Sequence, residues 1–192
     1  MEATGIGAVA CARHGCFYRS CVCDFQLGEK HVSPFPFLFA ILTFCLCRQM
    51  NMDYALCQAL GQMEDVQECI LCYDVACQFI VNFQSRVDAN PHLNVPDQLK
   101  IIPAIGVFHL GAHIKECFPK YSLNFIKGAG QLDGEIIETL WWPIDKVAGI
   151  TRAMTKAHRR EVLDDMMYDS NWKKWVGMGN YIFNFTLFSI YS

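Results

Sequence analysis

Apolar positions along the chain fall into short blocks separated by glycine, proline and polar turns, and the spacing inside each block predicts its element. Residues 6–11 (IGAVAC) form a run of small apolar side chains ahead of the turn-like His14-Gly15, which predicts a strand entering a hairpin. From Asn51 to Leu60 the positions Tyr54, Ala55, Leu56, Ala59 and Leu60 fit a helix that Gly61 ends. Cys69 to Val75 (CILCYDV) is a compact apolar run carrying Asp74 near its end, the pattern of a buried strand that delivers a carboxylate at its C-terminus. Phe79, Ile80, Phe83 and Val87 then recur at helical spacing, so the local order is strand, Asp, helix.

Pro91 and Pro96 punctuate a loop before the apolar run Ile101 to Leu110, and Lys127-Gly128-Ala129-Gly130 marks a flexible turn. From Asp133 onward Ile136, Ile137, Leu140 and Trp141 are spaced as on a helix, which Pro143 is expected to interrupt. Arg152 to Trp175 is polar and helical, with Arg159, Arg160, Glu161, Asp164 and Asp165 placed for charge pairs three or four apart. Two segments differ in character from the rest. Val32 to Cys47 and Gly179 to Ser192 are crowded with Phe, Leu, Ile and Ser, and the second has no charged side chain.

With 192 residues, 53% hydrophobic and 18% charged, the chain has the apolar content for a globular core rather than for disorder. A net charge of −3 excludes the broad basic footprint of a protein that binds nucleic acid over its whole surface, so any DNA role must rest on a local site. Eleven cysteines at irregular spacing, behind an N-terminus without a basic region and apolar stretch, fit buried thiols in a reduced compartment better than a secreted disulfide framework. The expected location is nuclear or cytoplasmic. Phe35 to Cys47 is only thirteen residues and contains Pro36. A membrane-spanning helix needs about 20.

Taken as residues alone, Asp74 is a strand-end carboxylate suited to capping the following helix, and Glu135 and Glu138 are solvated charges on one helical face. His109, His113 and Cys117 stand at i, i+4 and i+8, which on a helix would align two imidazoles and a thiolate for zinc, with Cys77, Cys72 or Cys69 as a fourth ligand. The same residues also suit support of a nearby reaction, or simple packing. Cys69 and Cys72 on one strand would point to opposite faces. His158, Arg159 and Arg160, with Arg152, Lys156, Lys173 and Lys174, form a basic cluster diluted by Glu161, Asp164, Asp165 and Asp169, a solvated face more than a DNA contact.

The blocks HGCFY, CDFQLGEK, QMNMDYALCQALG, YDVACQF, VFHLGAH, GAGQLDGEIIETLWWPI and HRREVLDDMMYDSNWKK occur in this order over about residues 8–30 and 49–178, and together they resemble the KDZ (Kyakuja-Dileera-Zisupton) transposases of the fungal type. The resemblance implies an α/β, partial RNase H-like (D-D-E) core with additional C-terminal helices, over residues 1–178. It implies Asp74 as the second carboxylate of a two-metal Mg or Mn site and Glu138, or alternatively Glu135, as the third, with DNA as substrate. Two metals about 3.5–4 Å apart stabilise the attacking and leaving oxygens of phosphodiester chemistry. In the family the first carboxylate lies on a strand upstream of the block that here reads ACARHG, and neither Asp24 nor Asp53 suits that place. The expectation is therefore a fragment without activity, and the alternative a zinc-stabilised binding module. The family's Gly-Glu-Lys/Arg motif runs almost directly into the NMDY block, whereas Val32 to Cys47 intervenes here. Val-Ser can be encoded by GTGAGT and Cys-Arg by TGTAGG, so the insert is read as a retained intron, and Gly179 to Ser192 as a second non-native apolar stretch that would favour self-association.

Overall fold

The computed structural model describes residues 5–25, 37–63 and 65–190, with 37–48 and 179–190 described as backbone alone. The packing expected of Val32 to Cys47 and Gly179 to Ser192 lies outside the described residues. The fold is mixed α/β and falls into two compact units, Met1–Val9 with Tyr18–Glu135, and Ala10–Phe17 with Ile136–Ser192.

β1 (Gly5–Ala10) pairs with β2 (Phe17–Phe25), and all of their residues but Ala10 and Phe17 belong to the first unit. The helix α1 (Phe37–Leu60) closes on Gly61, whose N–H donates to the Cys57 carbonyl at 2.9 Å, as the sequence predicts for its end. β3 (Glu68–Cys72) runs parallel to β4 (Lys100–Ala104) in the register Glu68 to Lys100 through Cys72 to Ala104. Between them the chain crosses over through α2 (Ala76–Phe79), a 3-10 turn (Ile80–Asn82) and α3 (Phe83–Asp88). The helix predicted after Asp74 is therefore present but stepped into short pieces.

Strand alternation explains why β3 reads as a continuous apolar run. Cys69, Leu71 and Tyr73 pack on the core formed by Leu56, Cys57, Leu60, Phe79, Phe83, Val87 and Leu99, while Ile70 and Cys72 pack on the opposite side against Ala104, Leu123 and Ala129. Both faces are covered, as a parallel strand requires. Cys69 and Cys72 accordingly face apart and form no paired ligand set. A buried ion pair ties the crossover to α1, with both Arg86 donors on Asp53 (Nε–Oδ2 2.7 Å, Nη2–Oδ1 2.8 Å) and the guanidinium over the Phe79 ring.

After β4 come α4 (Val107–Leu110), α5 (Cys117–Tyr121) and a 3-10 turn (Leu123–Phe125). The second unit holds α6 (Ile136–Asp145), α7 (Ala148–Thr151) and α8 (Lys156–Ile190). Pro143 does not end α6: the helix passes through it and stops two residues later, although proline makes no amide hydrogen bond and its ring crowds the preceding turn. Within this unit Asn171 holds the Phe17 backbone with both halves of its amide (2.7 and 2.9 Å), and Phe17 meets Trp141. No described helix is long and apolar enough to cross a membrane.

Candidate metal centre

Parallel strands bring their C-terminal ends to one edge, and the first unit places its acidic chemistry there. Asp74 follows β3 by two residues, in a turn fixed at Tyr73, whose N–H donates to the Ala104 carbonyl at 3.0 Å. It does not cap the crossover. The N-terminal position of α2 belongs to Val75, with no side-chain hydrogen bond, and Asp74 is instead half exposed and 3.4 Å from His109 Nδ1.

His109 sits on α4, the single helical turn that leaves β4 through Gly106. Glu135 arrives from the other side on the Asp133-Gly134 turn, where Gly134 takes φ +77°. That turn is pinned twice: the Val107 N–H donates to the Asp133 carbonyl (2.9 Å), and the Glu135 N–H donates to Asp133 Oδ1 (3.0 Å). The Glu135 carboxylate then accepts from the Phe108 N–H at Oε1 (3.0 Å), and its Oε2 lies 3.1 Å from His109 Nδ1. Gly106 makes this approach possible, because a Cβ there would lie 2.1 Å from Glu135 Oε1.

Asp74, His109 and Glu135 thus offer ligand atoms within 4.8 Å of one another. Two carboxylates beside one imidazole nitrogen make a donor set that a divalent cation could join, since hard cations take carboxylate oxygens. Cys72 adjoins the same acids, but burial, with Cys69, Glu135 and Asp133 contributing, pushes its thiol up to about 11. It stands there as a neutral group.

Of the carboxylates expected from the sequence, Asp74 and Glu135 come together. Glu138 is exposed on the first turn of α6, in the second unit, and enters neither cluster of metal-ligand type found among the described residues. Asp53 is 1% exposed and its two oxygens are taken by Arg86, so it is a structural anion. Asp24 is exposed on β2. The segment 109–117 is not one helix. α4 ends at Leu110, so His109 turns to the acids while His113 and Cys117 join Cys77 in a second cluster. The cluster His158 to Arg160 lies on α8, with His158 3.9 Å from Glu161 and Lys173 paired to Asp169.

Sequence reasoning passed over Gly106 and grouped His109 with His113 and Cys117 on the condition of one continuous helix, which α4, ending at Leu110, does not meet. The available signal was the Asp-Gly dipeptide before Glu135, a turn marker that puts this glutamate in a loop rather than on the helix carrying Glu138. A family model described as Kyakuja-Dileera-Zisupton transposase matches residues 47–171, well over half of the chain and all members of both clusters. No curated protein and no solved structure matches the chain significantly.

Proposed function

Because the chain belongs to the Kyakuja-Dileera-Zisupton transposase family, we propose that Asp74 and Glu135, with His109 between them, hold a divalent Mg or Mn ion for phosphoryl transfer on DNA. The convergence of these three side chains from the ends of two parallel strands and a pinned turn carries the reading. An RNase H-like core would present its acids at the same strand ends. A metal pair in such a site would stabilise the attacking and leaving oxygens of the phosphodiester.

The protein's own contribution is orientation. Glu135 is fixed by the Phe108 N–H before any ion arrives, so little side-chain freedom remains to be lost on binding. Asp74 is the more exposed of the two, at 52% against 18%, and is the oxygen donor open to substrate and solvent. His109 Nδ1 either completes the ligand set or lies beside the reacting phosphate as a hydrogen-bond donor. At this acidic cluster the described residues supply ligands for one ion. With Asp53 committed to Arg86, a second ion would need a carboxylate that none of the described residues brings to this cluster, and on that ground the chain is read as binding metal without cleaving DNA. DNA as substrate makes the nucleus its place of action.

Titration with Mn²⁺, followed by calorimetry and by the ion's paramagnetic resonance, tests the assignment. Asp74→Asn and Glu135→Gln are each expected to weaken binding at least about tenfold, the loss of one charge-assisted contact. Glu138→Gln should leave it unchanged. Equal Mn²⁺ affinity in the parent, Asp74→Asn and Glu135→Gln would remove the site, and loss in Glu138→Gln alone would move it to the neighbouring helix.

A further inference from the structure

A second cluster lies in the same unit and has different chemistry. Cys77 on α2, His113 in the turn after α4, and Cys117 at the first position of α5 bring two thiols and an imidazole within 4.8 Å of one another. Cys77 Sγ is 3.5 Å from His113 Nδ1. Zinc–sulfur and zinc–nitrogen bonds of tetrahedral zinc put a sulfur and a nitrogen about 3.6 Å apart on the same ion. The cluster is therefore close to ligating geometry before any ion is placed in it.

We infer that Cys77, His113 and Cys117 bind a zinc ion that staples the α2 crossover to the segment running from α4 into α5. The chemistry of the donors selects the metal: thiolate and imidazole are soft and borderline ligands that favour zinc over magnesium or manganese, whereas the Asp74–Glu135 pair offers hard oxygens. On binding, the two thiols lose their protons to solvent and the imidazole coordinates in its neutral form through Nδ1. Cys77 and His113 are half-buried, so the fourth position opens to water.

The local fold gives such a tie a task. α2, α4 and α5 have four, four and five residues. Helices this short have little stability of their own. The packing around them is also small, consisting of buried Ala76, Ile105, Leu110 and Cys117 with Tyr73, Cys77 and Tyr121 at its margin. Cys77 stands three residues after Asp74, and His113 four residues after His109. A zinc joining Cys77 to His113 would hold those two side chains in register, a consequence that rests on the proposed acidic site. The zinc itself does not.

The test is metal content and the zinc X-ray absorption edge of the full chain, purified under reducing conditions with zinc present and then dialysed. One zinc per chain is expected, with two sulfurs and the rest nitrogen or oxygen in its ligand shell. Cys77→Ser and His113→Ala should each lose it, while Cys72→Ser, a half-buried cysteine outside the cluster, should keep it. Asp74→Asn and Glu135→Gln should also retain zinc, so failure of this site and failure of the acidic site are read separately. A parent chain free of zinc after reconstitution, a shell with no sulfur or with four, or a Cys77–Cys117 disulfide in the reduced preparation would each overturn the inference. The ligand shell of the parent decides the question even where a variant fails to fold.

Discussion

Replacing Gly106 with alanine separates the acidic site from the fold that carries it. Gly106 has φ −58° and ψ 149°, a conformation open to any residue, so the substitution brings no backbone strain. At such positions Gly→Ala raises stability by about 0.4–1 kcal/mol through the unfolded chain. The added Cβ, however, would lie 2.1 Å from Glu135 Oε1 and 2.6 Å from its Cδ. These atoms are the far end of a flexible side chain, so the carboxylate yields and the backbone stays. Relief requires a shift of about 1 Å, since carbon and oxygen do not approach within about 3 Å, and this breaks the 3.0 Å bond from the Phe108 N–H. A hydrogen bond to a charged group contributes about 1.5–3 kcal/mol, which becomes roughly a 10- to 150-fold loss of Mn²⁺ affinity if the carboxylate must return to its place to coordinate. The assay is Mn²⁺ calorimetry beside thermal melts of the same samples. Mn²⁺ binding should fall by that factor while the chain stays folded, its stability lowered by no more than the lost bond less the glycine gain, about 0.5–2.6 kcal/mol. Parent-like Mn²⁺ affinity in Gly106→Ala would refute the reasoning, because it would mean that the position of Glu135 beside Phe108 and His109 has nothing to do with the metal.

Two further outcomes follow from the same geometry. Asp53→Ala leaves the Arg86 guanidinium largely buried without its anion and should destabilise the first unit by about 3–5 kcal/mol. Urea melts should be followed by circular dichroism, since all four tryptophans lie in the second unit. The 192-residue chain should show no nicking or strand transfer with Mg²⁺ or Mn²⁺, whatever the metal concentration. Cleavage that disappears in Asp74→Ala would instead mean that a further carboxylate joins Asp74 and Glu135.

Much of the first unit was legible because its elements obey simple periods. The apolar run Cys69 to Val75, the helical spacing of Phe79, Phe83 and Val87, and Gly61 after Leu60 each match an observed strand, helix or helix end. What periodicity could not give was continuity. Phe79 to Val87 keeps helical spacing across α2, the 3-10 turn and α3, because side chains on one face stay on one core even when the backbone tightens. Pro143 misled in the other direction, since a proline inside a helix costs about 3 kcal/mol, which the burial of Leu140 and Ile144, at about 1.5–3 kcal/mol each, offsets.

The site was legible in its parts and not in its assembly, and the reason lies in how spacing is converted to space. An i, i+4, i+8 series aligns side chains only if the helix is unbroken, and the four-residue α4 ends between His109 and His113. That one break sends His109 to the carboxylates and leaves His113 and Cys117 to Cys77, so what reads as a single ligand stripe becomes two clusters of opposite chemical character. The same logic orders Glu135 and Glu138. Three residues apart, they would share a face if both were helical, but Asp133-Gly134 makes a left-handed turn that the Asp133 carboxylate holds through the Glu135 N–H, and α6 starts only at Ile136. A loop residue can be aimed by its turn at a strand end, whereas a helical residue follows its helix axis. Glu135 therefore reaches His109 because it stands just outside the helix, and the choice between the two glutamates turns on the Asp-Gly pair that precedes them rather than on either glutamate's own surroundings in the sequence.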